Sequence, residues 1–117
     1  MDLGLFEPQT IVRGYTSSAV TTTASTEMIA AKGASNRIYI TALLVTNSHA
    51  TVGTLVNILS GSTVIWSGYA APAGGGYAIS FPIPLRCGAN EAVNLQCGTN
   101  GSNVYGSVNG FWRRDAA

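Results

Sequence analysis

The sequence predicts an all-β domain: an antiparallel sandwich of about eight strands, of jelly-roll type, with an extended N-terminal arm. Three observations predict it. Short segments of alternating side chains recur about every ten residues, separated by Gly, Pro, Asn and Ser. No segment of about ten residues or more reads as a helix. Gly, Ala, Ser, Thr and Asn supply about half of the chain, and charged residues only 9%, against ~25% in an ordinary domain. Small and β-branched residues suit pleated surfaces and tight turns. Eight strands at this length favour a jelly roll over an immunoglobulin-like sandwich, because the Cys…Trp…Cys spacing is absent.

The chain has 117 residues, which is one domain with room for a hydrophobic core. Residues 1–18 read as an arm. Leu3, Leu5 and Phe6 mix with Asp2 and Glu7, Pro8 forbids a regular continuation, and Gly14, Ser17 and Ser18 add flexibility. Such a segment either frays or docks on a partner through Leu5 and Phe6. Residues 19–117 then form the sandwich.

Within that domain, residues 19–26 are Thr-rich and read as a strand, 27–31 are ambiguous, and 32–36 are a turn cluster. Residues 37–47 are the strongest strand. Ile38, Ile40, Ala42 and Leu44 fall on one face, and Tyr39, Thr41, Leu43 and Val45 on the other. Both faces are nearly apolar, which predicts a central strand covered on both sides, one side by a neighbouring subunit. Residues 54–59 form a strand, Ser60-Gly61-Ser62 a tight hairpin turn, and 63–66 the returning strand. Residues 67–76 read as a loop and 77–81 as a strand. Pro82 and Pro84 mark an edge or exit, since neither can donate to a ladder. Residues 91–97 alternate, 98–103 turn, and 104–113 close the domain. Val104, Gly106, Val108, Gly110 and Trp112 share one face of this last strand, and Tyr105, Ser107, Asn109 and Phe111 the other.

Charge and chemistry point away from catalysis. From Ile38 to Leu85 there is no Asp, Glu, Lys or Arg, and His49 is the one side chain there of near-neutral pKa. Asp2 and Asp115 are terminal, and Glu27 and Glu91 are the acids in the body of the domain. A Ser-His-Asp or Cys-His set, a paired-carboxylate site and a four-ligand zinc site are all hard to assemble from these groups. No cofactor or metal is expected. Gly74-Gly75-Gly76 lacks the strand–loop–helix context and Lys-Ser/Thr ending of a phosphate loop. A formal net charge of +1 gives no footprint for nucleic acid or an acidic membrane. Arg113 and Arg114 beside Phe111 and Trp112 read as a strand end. The residues at the start lack the basic and apolar pattern of a signal peptide, so Cys87 and Cys97 are expected as reduced, packed thiols. A disulfide between neighbouring strands is geometrically open.

Assembly is what the remaining pattern predicts. Alternating glycines in the last strand mark a close approach by another backbone or a large side chain. With the charge-free middle, they predict a closed oligomer burying one sheet face. Tyr39, Leu43, Val45, Gly106, Val108 and Gly110 are the subunit-interface candidates.

Four stretches carry a resemblance: residues 56–69, 72–77 and 81–86, and the closing Val-Tyr-Gly-Ser-Val-Asn-Gly-Phe of 104–111. They resemble small jelly-roll capsid cement or decoration proteins of tailed bacteriophages, over about half of the chain (residues 56–112). The resemblance implies a non-enzymatic virion protein, most simply a trimer that stabilises the head shell. It implies assembly in the host cytoplasm, location on the capsid surface, and the major capsid protein as partner. Leu5, Phe6 and Arg13 are then the capsid-contact candidates. The alternative is a receptor- or glycan-binding knob of a tail fibre or spike, with Trp66, Tyr69, Tyr77, Tyr105 and Trp112 as stacking platforms.

Overall fold

A computed structural model describes residues 10–114. Among the described residues the chain is all-β: eight strands in two four-stranded antiparallel sheets, with no helix. The strands are β1 (Ile11–Tyr15), β2 (Thr26–Ile29), β3 (Asn36–Asn47), β4 (Thr54–Ser60), β5 (Thr63–Ala70), β6 (Gly75–Arg86), β7 (Val93–Cys97) and β8 (Val104–Arg114). One sheet has the order β1-β8-β3-β6, the other β2-β7-β4-β5. Every connection crosses between sheets except the β4–β5 hairpin. The turn of that hairpin holds Gly61 at φ 60°, a conformation that costs glycine little.

The core lies between the sheets. Val12, Ile38, Ile40, Leu43, Val45, Val104 and Val108 point in from the first sheet. Ile29, Val56, Ile58, Val93, Leu95 and Cys97 meet them from the second. Strand edges face one another at both sides, with β1 against β2 and β6 against β5.

Several expected boundaries move. The Thr-rich run at 19–26 is not a strand up to residue 25, and only its last residue, Thr26, enters β2; Val20 forms an isolated bridge to Val104. Residues 21–25 are exposed and are tied down by single bonds to the β7–β8 region. Thr23 N–H donates to Asn100 Oδ1 (3.1 Å), Gly101 N–H to Thr21 O (2.8 Å), and Gln96 Nε2 to Thr23 O (3.2 Å). A run of β-branched residues with no apolar alternation has no face to bury, so propensity alone does not make a strand here. The strand forms instead at β2, where Ile29 can reach the core.

The arm boundary at residue 18 is also corrected. Ile11–Tyr15 pairs with β8 from Ile11–Phe111 to Tyr15–Ser107. Val12 and Gly14 point inward and Ile11, Arg13 and Tyr15 outward. Gly14 is there for closeness, since a Cβ at that position would run into Met28 O and Ile29 Cγ1 of the facing sheet. Leu5 and Phe6 lie outside the described residues.

The prolines do not end β6. The strand continues through Pro82 and Pro84 to Arg86, paired on one side only, as proline requires.

In β3 the pairing slips at Thr41 against both neighbours: Ile40 pairs with Leu85 and Gly110, and Ala42 with Ser80 and Asn109. This bulge changes which parity faces the core. Ile38 and Ile40 point in before it, and Leu43, Val45 and Asn47 after it. The expected split of β3 into Ile38/Ile40/Ala42/Leu44 against Tyr39/Thr41/Leu43/Val45 is therefore broken in the middle.

Candidate functional site

The bulge leaves a particular surface on the outside of the β1-β8-β3-β6 sheet. Cross-strand pairing sets its rows. Ile11, Phe111, Tyr39 and Arg86 form one; Arg13, Asn109, Ala42 and Ser80 the next; Tyr15, Ser107, Leu44 and Ala78 the third. Tyr105 and Thr46 begin a fourth. Ile11, Tyr15, Leu44 and Tyr105 are exposed. Arg13 stands at the β1 edge and Arg86 at the far corner, and the residues between them are uncharged. The centre is built of small side chains and sinks into a hollow of about 330 Å3, lined by Ala42, Leu44, Ala78, Ser80, Ser107 and Asn109.

Beside the hollow, Tyr39 stacks on Phe111 with ring centres 5.1 Å apart and planes 9° from parallel, and the Arg113 guanidinium lies 4.8 Å over the Tyr39 ring. Such a stack is worth about 0.5–1.5 kcal/mol beyond its buried area. Tyr39 is thereby only 7% exposed although it is on the outer face.

The outer face of the other sheet differs in chemistry. Ser67 Oγ donates to Asn57 Oδ1, Asn94 Nδ2 donates to Gly61 O (2.9 Å), and Glu27 is exposed. Leu55 and Tyr69 pair at one end, with the Tyr69 hydroxyl lying over Gly53, where a Cβ would meet it. Leu55, Val64 and Tyr69 are exposed on this sheet too, so both sheets carry exposed apolar side chains, and the shallow hollow is what sets the β1-β8-β3-β6 face apart.

The interface candidates fall apart on this geometry. Leu43, Val45 and Val108 are core side chains of the domain itself. Gly106 faces Leu95 Cδ1 of the opposite sheet, and Gly110 faces the Tyr39 carbonyl of β3. Their small size serves packing within one chain, so these five are corrected from interface to core. Tyr39 is covered within the chain by Phe111 and Arg113. Arg13 is exposed on β1. Of the residues that form the apolar outer face, Tyr105 was expected only as a stacking platform, Ile11 and Tyr15 were missed because residues 1–18 read as an arm, and Leu44 was missed because the β3 bulge cannot be read from alternation. Ile83, 84% exposed between two prolines, was missed too. The signal available was an isolated apolar residue where the prolines forbid a buried ladder.

Trp66 and Tyr69 do not make one platform, since three positions along a strand place them on opposite faces. Trp66 packs against the core, folds over Gly68, and meets Tyr77 edge-on with centroids 5.2 Å apart.

Two polar nodes hold the ends of the sandwich. At one, Asn47 is fully buried. Its Nδ2 donates to Val52 O (2.8 Å) and Ala70 O (3.2 Å), and its Oδ1 accepts from the N–H of His49 (3.1 Å) and of Asn103 (3.2 Å). His49 Nδ1 in turn accepts from the N–H of Thr51 (3.1 Å) and Val52 (3.0 Å), which makes His49 an organiser of its loop. At the other end, Ser60 Oγ donates to Glu91 Oε1 (2.6 Å) and accepts from Gly88 N–H (2.8 Å). Among the described residues no three of His, Cys, Asp and Glu come together to hold a metal ion.

Cys87 and Cys97 are buried and unbonded. Cys97 pairs with Val56 at one part of β4, while Cys87 lies beside Ser60 at its end. Four residues of strand separate the two levels by ~13 Å, beyond the reach of a disulfide. Burial pushes the Cys87 thiol up to about 11, with Glu91 adding to the rise and Ser60 opposing it. Burial also raises Cys97, opposed by Ser102. Both thiols stay protonated at neutral pH and are poor nucleophiles. Their folded pKa values lie above the ordinary 9.0, so the stability they lend is complete below pH 9 and is lost as pH rises toward 11. Denaturant melts at pH 8 and pH 10.5 test this; equal midpoints would contradict it. A thiol reagent at pH 8 should label the native chain slowly and the unfolded chain at once.

Comparison with protein-family models, with curated proteins and with solved structures returned no match.

Proposed function

We propose that this chain is a non-enzymatic structural protein of a phage virion, acting as a trimeric cement protein that binds the head shell through the major capsid protein. The observation that carries the reading is the outer face of the β1-β8-β3-β6 sheet, where Ile11, Tyr15, Leu44 and Tyr105 are exposed around a shallow, uncharged hollow. An exposed apolar face on a small rigid sandwich suits permanent association. Protonated thiols and a His49 whose Nδ1 is taken up by its own loop fit a part that holds and does not react. A shell protein stabilises by mass action, through binding the assembled state alone.

Jelly-roll connectivity belongs to the same reading. The interleaved strand orders and the single within-sheet hairpin fit two Greek keys wound together. A glycan-binding knob of a tail fibre has less support, because Trp66 and Tyr69 face opposite ways.

The test is co-sedimentation with assembled shells of the cognate major capsid protein that lack this chain. The full chain should pellet with the shells and raise their melting temperature. A chain lacking residues 1–9, which keeps β1, should stay folded and pellet less. Failure of the full chain to bind shells, together with a hit on a glycan array, would replace this reading with the knob.

A further inference from the structure

We propose that Ile83 is the plug of a head-to-tail contact between copies of this chain, and that the hollow on the β1-β8-β3-β6 face is its socket. The proposal rests on the oligomer reading above and names the contact that makes it.

The plug is built by pairing. Ile40 pairs with Leu85 and Ala42 with Ser80, so residues 81–84 stand opposite Thr41 alone. Four residues across from one must bow out from the sheet edge. Phe81 and Leu85 pack against the core at either side of the bow, and Pro82 and Pro84 fix their own φ angles. Ile83, at the crest, is 84% exposed, the highest value among the exposed large apolar residues. A backbone restrained by two prolines loses little entropy on docking. Two prolines also remove the N–H donors with which the edge could add a strand. The contact they offer is through the side chain.

The socket is built by the same strand and its neighbours. Its volume of about 330 Å3 is roughly ten times a water molecule's share of the liquid, room for a four-carbon side chain and a flanking proline ring. Its lining residues Ala42, Leu44, Ala78, Ser80, Ser107 and Asn109 carry no charge. Ala78 and Ser80 lie on β6, the strand that also carries Ile83, so a copy cannot fold its plug back into its own socket. The occupant is a second copy, which brings the matching uncharged plug with it. Plug and socket at different places on one surface make a heterologous contact, which closes as a ring or runs on as a filament. Ile11, Tyr15, Leu44 and Tyr105 extend the same face toward the ~800 Å2 per partner that a stable interface needs.

The experiment compares full-length wild type, Ile83→Asp and Ala78→Arg by sedimentation velocity, with circular dichroism melts on each. Both positions are exposed, so the melts of the isolated chains should stay cooperative; Ile83→Ala serves as a milder second variant of the plug. Wild type should form a closed oligomer. Each variant alone should associate about thirtyfold more weakly or less still, the loss expected of a central hot spot. A mixture of the two should form a 1:1 pair, because the plug of Ala78→Arg can enter the socket of Ile83→Asp. A wild type that is oligomeric and unaffected by either variant, or a mixture that stays monomeric, overturns the plug and socket while leaving the oligomer standing. A monomeric wild type overturns both.

Discussion

Replacing Asn47 with Ala should lower stability by about 3–4 kcal/mol and the melting temperature by about 10–15 °C. The Asn47 side chain uses all four of its hydrogen-bonding positions, on Val52 O, Ala70 O, His49 N–H and Asn103 N–H. Its own backbone carbonyl accepts from Gly74 N–H at 2.7 Å. One residue therefore fastens the β3–β4 loop, the end of β5, the β5–β6 loop and the β7–β8 loop. Removal leaves buried donors and acceptors without partners, each costing ~1–3 kcal/mol before water or relaxation recovers part of it. Asn47→Asp keeps the shape but aims an oxygen at two carbonyl oxygens and buries a charge, so at neutral pH it should be at least as damaging. Thermal melts of the three proteins decide it. A change under about 1 kcal/mol for Asn47→Ala would mean that the loops are held by something else.

Gly106→Val should destabilise the folded chain by about 1–3 kcal/mol, and Leu95→Ala should relieve part of that cost. A Cβ at Gly106 runs into Leu95 Cδ1, the far end of a side chain that truncation removes. The double variant should melt higher than the sum of the single effects implies. Gly110→Val should show no such relief, because its obstacle is the Tyr39 carbonyl, and backbone cannot be trimmed away. If Gly106 acted at a subunit contact instead, Gly106→Val would give a folded protomer with an unchanged melt and a lost oligomer, and Leu95→Ala would not matter.

Much of the fold was legible because alternation is a local signal. The partition of β8 into Val104, Gly106, Val108, Gly110 and Trp112 against Tyr105, Ser107, Asn109 and Phe111 stands as expected, as does the Gly61 turn. The meaning of the glycines was not legible. A missing Cβ signals close approach, but which neighbour approaches is a tertiary fact, and here it is the chain's own opposite sheet. β1 was hidden for a related reason: Gly14 reads as flexibility and in fact lets β1 lie close against β2. The 19–26 run misled in the other direction, since threonines favour strands only where a pleated surface has something to cover. The place of Leu44 on the outer face was illegible because it depends on the β3 bulge.

That bulge gives β3 two readable frames. Leu43-Leu44-Val45 is apolar at every step, so those residues would fill the core about equally well if the strand were shifted by one. What fixes the frame lies at the two ends: Tyr39 under its Phe111–Arg113 cover, and Asn47 in its ring of four bonds. Deleting Thr41 would therefore make Ile40 and Ala42 neighbours opposite Gly110 and Asn109, which are already adjacent on β8, and the strand would run straight with Leu43, Val45 and Asn47 still facing inward. A strand that kept Thr41 and lost the bulge would instead be frameshifted within the folded chain, with Leu44 and Thr46 sent inward, Leu43 and Val45 turned to solvent, and Asn47 set against the very bonds that define where the strand ends.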